Sequence, residues 1–227
     1  MKRRFVLPWL ASLVLPLQLT AEPAVDPFAI RVTNEAELRT LLSRPAARLG
    51  EARVLEGKFR QSRHLREIPK PLVALGDFSF VRDLGIRWHT SQPFDSVVVL
   101  TASGLAQSDD GGVVQRISAD EQPAIRLITR IFMALFTLDT QSLARDFDLH
   151  TVVPGAVANR WVIGLRPRAK AIASVFREAT IAGGDDVEQV VLTDAQGDRT
   201  VIDLSAITNS SDPPGADLRA LFALPRP

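Results

Sequence analysis

Apolar and charged positions alternate along residues 54–61 (VLEGKFRQ), which places Phe59 and its apolar neighbours on one face of an extended chain. A period of two is typical of a strand with one buried face. The same alternation over residues 76–90 (GDFSFVRDLGIRWHT) predicts two strands joined by a turn at residues 82–85. Gly85 is the residue of that turn that can adopt a positive φ without strain. The pattern therefore predicts an antiparallel hairpin.

The rest of the chain carries further short strand patterns, separated by turn-forming residues. A near-continuous apolar run precedes a turn at Ser103-Gly104, and the DDGG sequence at residues 109–112 is a hairpin signal. A tight connection is also predicted at residues 194–198 (DAQGD). The predicted strands cover residues 95–105, 105–108 and 113–117, and in the last third residues 145–153, 159–167, 178–184, 187–194 and 199–207.

Helical spacing is confined to a few places. Residues 34–50 predict a short amphipathic helix with Asn34 as N-cap and Glu37 three residues later, and Pro45 is expected to end or kink it. A helical turn is predicted within residues 167–176, and a loop with a short helix within residues 209–222. Many short strands with segregated helices indicate an α+β fold around one curved sheet.

The longest helical pattern spans residues 118–139. Ser118 with Glu121 fits a capping box, and Asp120 is an alternative cap that would put Pro123 in the first turn. The apolar residues of this segment cover more than half of the helix circumference, so the helix is either widely buried or covers an apolar cavity. Composition alone favours the first reading, in which the aromatic residues are simply the core.

The N-terminal residues predict a secretory signal peptide over residues 1–21, followed by a single domain over residues 22–227. Lys2, Arg3 and Arg4 precede an apolar run, and Ala21 is a suitable small residue before a cleavage site. The chain has 27 basic and 26 acidic residues, so removing these three cations leaves a net charge of about −2, which does not suggest nucleic acid as a partner. The chain has no cysteine, so it forms no disulfide and cannot be lipidated on cysteine. These features predict a soluble periplasmic protein.

Candidate catalytic groups are few. The three histidines, His64, His89 and His150, show no metal-ligand spacing, and no nucleophile motif accompanies them. His89 alternates with Trp88 and is expected on the opposite, outward face of its strand. We therefore expect neither an enzyme nor a bound metal or other cofactor.

Several short motifs, taken in order, resemble a known family. They are Phe59-x-Gln61, Gly76-x-Phe78, Trp88-His89 followed by Gln92-Pro93, Trp161 to Pro167, and Gly197-Asp198-Arg199-Thr200. In order and spacing the chain resembles the periplasmic lipoprotein carriers of the LolA type. Its spacing is most similar to the divergent LolA-related branch found beside aryl-polyene and fatty-acid-like biosynthesis genes. The resemblance spans nearly all of the mature chain.

The resemblance implies an unclosed antiparallel half β-barrel covered by a helical lid. It implies a monomeric carrier that holds acyl chains of lipoproteins or lipids and moves them from an inner-membrane donor complex to an outer-membrane acceptor. In such carriers an arginine on the strand before the tryptophan bonds to the lid and keeps it closed, and here that position is Arg82. The family's usual Arg-Pro pair is Arg82-Asp83 in this chain.

The expected acyl-chain contacts are the inward apolar positions of the first strands and of the long helix. They are Phe59, Phe78, Phe80, Ile86, Trp88, Val98, Leu100, Ile128, Ile131, Phe132 and Leu135. Two other functions stay open at this point: a non-catalytic assembly factor of an outer-membrane or aryl-polyene lipid export system, and a periplasmic hydrolase.

Overall fold

A single antiparallel sheet of twelve strands organises the part of the chain that the structure describes. The computed structural model describes residues 25–109, 112, 114–122, 124–153, 157 and 160–222, so the predicted signal peptide and Pro123 lie outside it. The strands are β1 (Ile30–Arg31), β2 (Val54–His64), β3 (Leu72–Val81), β4 (Gly85–Gln92), β5 (Ser96–Thr101), β6 (Gly104–Asp109), β7 (Val114–Ser118), β8 (Phe147–Thr151), β9 (Trp161–Pro167), β10 (Phe176–Gly183), β11 (Val187–Asp194) and β12 (Arg199–Ser210).

The order of these strands is β1-β8-β9-β10-β11-β12-β2-β3-β4-β5-β6-β7. β1 and β7 stand at the two edges and do not pair with each other among the described residues, so the sheet is a curved half-barrel that stays unclosed. The pairing of β12 with β2 joins the C-terminal half of the sheet to the N-terminal half. This agrees with the predicted α+β fold.

Helices cover the concave face of the sheet. They are α1 (Glu35–Leu41), α2 (Ser43–Glu51), α3 (Ala124–Thr137), α4 (Thr140–Asp146) and α5 (Lys170–Ala173), and α6 (Ala216–Ala220) packs on the opposite face. Asn34 caps α1 as predicted, since its side-chain oxygen accepts a hydrogen bond from the backbone N–H of Ala36 at 3.0 Å. None of the helices in the described residues is long and apolar enough to cross a membrane.

Alternation along the strands predicted their faces correctly. On β2, Leu55 and Phe59 are buried while Glu56, Lys58 and Arg60 are exposed. The turn between β3 and β4 also forms as expected, and Gly85 has a φ of +140°. A β-carbon at this position would collide with the carbonyl of Leu100, so glycine is required there.

The helix boundaries needed three corrections. The break in the N-terminal helix falls at Leu42, and Pro45 lies in the first turn of α2, where its missing N–H costs nothing. α3 begins at Ala124, so Ser118 and Asp120 are not its caps. Ser118 ends β7, and its hydroxyl accepts a hydrogen bond from the N–H of Asp120 at 3.1 Å.

The third correction is α4. The sequence pattern predicted a strand from residue 145 onwards and no element over residues 140–144. α4 buries little more than Leu143, so it has almost no apolar periodicity to detect. Asp139 defines its start, because the carboxylate accepts hydrogen bonds from the N–H of Ser142 at 3.0 Å and from its hydroxyl at 2.6 Å.

Two apolar clusters lie on opposite faces of the sheet. The main core fills the space between the concave face and helices α1 to α5. On the convex side, Phe222 packs over Val54, Val81 and Val99, with Leu218 of α6 beside them. α6 therefore covers the outer face of β3 to β5, whereas α1 to α5 cover the inner face of the sheet.

Candidate functional site

A cavity of about 230 Å³ lies between α3 and the concave face of the sheet, and every residue that lines it is apolar. α3 contributes Ile128, Ile131, Phe132, Leu135 and Phe136, and the sheet side is formed by Trp88, Phe147, Leu165, Phe176, Ala179, Val187, Val190, Leu192, Ile202 and Leu204. Val175, just before β10, completes the wall. A cavity with a wholly apolar lining offers water no hydrogen-bond partner and is suited to apolar groups.

The cavity reaches the surface beside Val175 and Ile128. These two lining side chains are 60% and 37% exposed, whereas the other end of α3 is sealed by the buried side chain of Phe136. Large apolar side chains at the entrance of an apolar cavity lower the cost of passing an apolar ligand from water into it. Val175 and Ile128 therefore define its mouth.

Five of the predicted contacts line the cavity: Trp88, Ile128, Ile131, Phe132 and Leu135. Trp88 stands at the junction between the cavity and the aromatic core. Its ring stacks on Phe59 with centroids 3.9 Å apart and lies 6.0 Å from the ring of Phe78. Phe59 and Phe78 therefore support the wall from behind.

The other predicted contacts lie farther from the cavity. Phe80 is fully buried and stacks on Phe136 at 5.6 Å, and Ile86 is buried in the same core. Leu100 belongs to a separate apolar cluster, in which it packs with Ile125 from the first turn of α3. Val98 is the half-buried cross-strand partner of Trp88 and shares its face. As ligand contacts, all of these positions stay predictions.

The sequence reasoning missed the wall contributed by the second half of the sheet. Val190 and Leu192 on β11, and Ile202 and Leu204 on β12, alternate in the sequence in the same way as the predicted contacts on β3 and β4. The alternation that marks one buried face was therefore present in the sequence of β11 and β12. Only the pairing of β12 with β2, across more than a hundred residues, shows that these side chains face the same cavity.

α3 is attached to its surroundings mainly by apolar contacts. Thr129 donates a hydrogen bond to the carbonyl of Thr101 at 3.1 Å, at the end of β5. Arg130 forms a half-exposed ion pair with Asp146 of α4 at 2.8 Å. Arg126 of α3 forms a second, exposed ion pair with Asp120. A hydroxyl bond and two such ion pairs hold a helix weakly, so displacing α3 costs chiefly the apolar contacts, which an apolar ligand would replace.

Arg82 binds the end of α2. Its Nε donates to the carbonyl of Ala52 at 3.0 Å, and its Nη2 donates to the carbonyls of Leu49 at 3.0 Å and Gly50 at 2.8 Å. The last carbonyls of a helix have no partner within the helix, and the helix dipole favours a cation there. Arg82, in the turn directly after β3, thus bonds the end of a helix that covers the sheet, and its role as a latch stays a prediction.

Two further ion pairs connect α2 to the β10–β11 turn. Arg44 contacts Asp185 at 3.0 Å and Arg48 contacts Asp186 at 3.1 Å. Their arginines are largely or half exposed, and exposed pairs contribute about 0–1 kcal/mol. The guanidinium of Arg82, which donates to three carbonyls at the end of α2, is therefore the stronger attachment of α2 to the sheet.

His89 lies on the convex face, as expected from its alternation with Trp88. Its Nδ1 is 2.7 Å from a carboxylate oxygen of Asp77 and its Nε2 is 2.9 Å from one of Asp95, and Arg87 also contacts Asp77 at 3.0 Å. Because both ring nitrogens are occupied by carboxylates, neither is free to act as a base. His89 instead ties the β4–β5 turn to β3.

This arrangement predicts a pH-dependent contribution of His89 to stability. The hydrogen bond that His89 donates to Asp95, and then the one that it donates to Asp77, raise the pKa of His89 above its ordinary value of 6.5 despite the opposing desolvation. The contribution is therefore complete below about pH 6.5, the unfolded value, and is lost as the pH rises through the folded pKa. In chemical denaturation, we expect His89→Gln to lower the free energy of unfolding more at about pH 6 than at about pH 9. His64→Gln, at an exposed histidine, is the control, and an equal loss at both pH values for His89→Gln would refute this role.

The remaining titratable groups form no further site in the described ranges. His150 is buried and packs edge-on against Phe28, with ring centroids 5.6 Å apart. Within those same ranges, no group of three or more histidine and acidic side chains could hold a metal ion. The apolar cavity is therefore the candidate site.

Comparison with known proteins gives a family. The model of the family described as outer membrane lipoprotein carrier protein LolA matches residues 50–217, while a search of curated proteins by sequence finds no match. Among solved structures, a domain provisionally assigned as an outer membrane lipoprotein-sorting protein from Vibrio parahaemolyticus is 11% identical, with a TM-score of 0.43, and the match covers 82% of this chain and 99% of that one. A LolA superfamily protein from Nitrosomonas europaea is 10% identical, with a TM-score of 0.41 and coverage of 78% and 94%. Because the family model covers most of the 227 residues, the chain belongs to the family of the outer membrane lipoprotein carrier protein LolA.

Proposed function

We propose that this protein is a periplasmic carrier that binds acyl chains of lipoproteins or lipids and transfers them between membranes without catalysis. The observation that carries the proposal is the cavity beneath α3, which has a wholly apolar lining and an apolar mouth at Val175 and Ile128. Membership of the LolA family supports the same role. The proposed route runs from an inner-membrane donor complex to an outer-membrane acceptor.

The energetics of acyl chains explain why such a carrier is needed. Each buried methylene contributes about 0.8 kcal/mol, so a chain of ordinary length does not leave a membrane for water at a useful rate. A carrier must bind the chain strongly enough to shield it and still release it to an acceptor. This requires two arrangements of the protein that differ little in free energy.

The size of the cavity indicates which arrangement the structure represents. A volume of about 230 Å³ is below the roughly 300–1,000 Å³ of pockets that enclose drug-sized ligands. Full entry of one or more acyl chains therefore requires α3, and α2 packed beside it, to move away from the sheet. We infer that the structure is the closed form and that α1 to α4 are the lid.

Arg82 is the proposed latch of this lid. Its bonds to the three carbonyls at the end of α2 exist only while α2 lies against the end of β3, so they stabilise the closed form alone. Closing reduces the space available to the ligand, and the latch therefore favours release. The planar guanidinium suits this role because it can bond several carbonyls at once.

The remaining parts of the proposal concern the protein in its compartment. Residues 1–21 are proposed to be a cleaved signal peptide, and residues 22–227 a single monomeric carrier domain. The proposed ligand contacts are the cavity residues together with Phe59, Phe78, Phe80, Ile86, Val98 and Leu100 at its margins. We propose no cofactor.

Titration of the mature protein with a fluorescent fatty acid tests the binding step. We expect saturable binding that an unlabelled fatty acid competes away, and no hydrolysis of lipid esters under the same conditions. An assembly factor whose cavity is only its core would give no saturable binding. A hydrolase would release fatty acid from the esters.

A further inference from the structure

One end of the sheet carries a cluster of exposed apolar side chains next to unpaired cations. The cluster, here called the docking rim, lies on the β2–β3 connection, the start of β3 and the β4–β5 turn. Its apolar members are Ile68, Leu72, Val73, Leu75 and Phe94, and its basic members are Arg63, Arg66 and Lys70. Phe94 is 77% exposed, the highest value among the exposed large apolar residues that the structure describes.

Antiparallel pairing places all of these segments at the same end of the sheet. Arg63 lies opposite Leu72 where β2 ends and β3 begins, and Leu75 lies opposite Gln92, two residues before Phe94. The backbone N–H of Arg66 donates to Asp198 in the β11–β12 turn at 3.1 Å. The rim residues therefore lie together at one end of the sheet, next to the β11–β12 turn.

Val175, at the mouth of the cavity, lies at this same end of the sheet. β10 starts immediately after Val175, and its first residue, Phe176, pairs with Asp194 at the end of β11. The N–H of Ala195 in the following turn donates to the carbonyl of Val175 at 3.4 Å. A ligand that leaves past Val175 thus emerges beside the rim.

The charges of the rim favour an anionic partner. In the described part of the chain, the side chains of Arg63, Arg66 and Lys70 form no ion pair, whereas the arginines of α2 and α3 do. Glu67 is the acidic residue of the β2–β3 connection and Asp198 is the carboxylate beside Arg66, so three cations face two carboxylates there. Asp95, in the β4–β5 turn, is occupied by His89.

We propose that the docking rim binds the surface of an anionic lipid bilayer, with Phe94 inserted among the acyl chains and the three cations at the headgroups. Apolar side chains flanked by Lys and Arg are the combination that adsorbs to anionic membranes. Large exposed apolar side chains gathered at one end of a sheet are themselves a marker of an interaction surface. Docking in this orientation brings the cavity mouth to the lipid, so acyl chains pass between protein and membrane with little exposure to water.

Sedimentation with lipid vesicles tests the proposal. We expect the mature protein to bind vesicles of phosphatidylethanolamine with phosphatidylglycerol and to bind vesicles of phosphatidylcholine about tenfold less, with the difference shrinking as salt is added. Phe94→Ser should weaken binding to the anionic vesicles about tenfold. Replacing Arg66 and Lys70 together by glutamine should abolish the preference for anionic lipid.

Leu41→Ser is the matched control. Leu41 is also an exposed apolar residue, 51% exposed, but it lies on α1 at the opposite end of the sheet, and this variant should bind vesicles as the unaltered protein does. Equal binding to both kinds of vesicle, no binding to either, or unchanged binding by Phe94→Ser would overturn the proposal. A surface made for a protein partner would give one of these results.

The experiment also separates docking from acyl-chain binding. Val190→Phe fills the cavity without altering the rim, so it should keep vesicle binding while losing affinity for a fluorescent fatty acid. Phe94→Ser should show the reverse. Loss of both properties in both variants would contradict the assignment of two separate surfaces.

Discussion

Replacing Val190 by phenylalanine should weaken the binding of a fluorescent fatty acid about tenfold or more, with little effect on folding. Val190 lines the cavity from β11, between Ile181 and Ile202 on the neighbouring strands. The added ring atoms occupy space that at least two methylenes of a ligand would fill, and each methylene contributes about 0.8 kcal/mol. Because the ring enters existing space, the free energy of unfolding should change by less than about 1.5 kcal/mol.

Val191→Phe is the control for this change. Val191 is the next residue on the same strand and faces the convex side, and it is half-buried like Val190. The ring is therefore added to the same element without entering the cavity, and fatty-acid binding should be unchanged. If both variants bind equally well, the cavity is not the binding site.

Arg82→Leu should slow release of a bound fatty acid and tighten its binding up to about tenfold. The latch stabilises only the closed form, and charge-assisted hydrogen bonds contribute about 1.5–3 kcal/mol. Without them the equilibrium shifts towards the open form that accommodates the ligand. The same change should lower the free energy of unfolding by about 1–3 kcal/mol, because the last carbonyls of α2 lose their partner.

The two effects of Arg82→Leu need separate measurements, namely stopped-flow release of the probe and chemical denaturation. Arg53→Leu is the control, since Arg53 is exposed at the same end of the sheet and its carbonyl, not its side chain, bonds to Arg82. A loss of several kcal/mol in stability with unchanged binding and release would make Arg82 purely structural. Arg82→Lys should slow the release of the probe as Arg82→Leu does, because one ammonium group cannot bond all three carbonyls.

The alternation of residues predicted the local structure well because each hairpin depends on residues close together in the sequence. β2 to β6 formed where the pattern put them, and Gly85 took the conformation that the β3–β4 turn requires. Trp88 and His89 likewise point to opposite faces. A period of two fixes the face of every residue once the register is known.

The cavity itself was only half predictable. Its helix wall was evident from the wide apolar surface of α3, and the resemblance identified Trp88. The wall built from β10 to β12 depends on long-range pairing of β12 with β2, which no local pattern encodes. Nor does local sequence place the carbonyls of Leu49 to Ala52 beside Arg82, about thirty residues later.

The predictions for the caps of α3 and for residues 140–146 were wrong for a different physical reason. Ser118 and Asp120 have suitable side chains for capping, but Ser118 continues the pairing of β7 with Gly104, and this pairing delays the start of the helix. α4 is defined by the hydrogen bonds of Asp139 rather than by an apolar face. Local capping signals identified the α3 segment but not its boundary, and the sequence analysis did not identify α4 as a helix.

Extraction and mass analysis of lipid from the mature protein, purified from the periplasm without detergent, tests the central claim most directly. The account predicts bound acyl-chain lipid in the unaltered protein, less of it in Val190→Phe, and at least as much in Arg82→Leu. Val191→Phe should match the unaltered protein. A protein that is free of lipid in all four forms, and that takes up no fluorescent fatty acid, would contradict the carrier function.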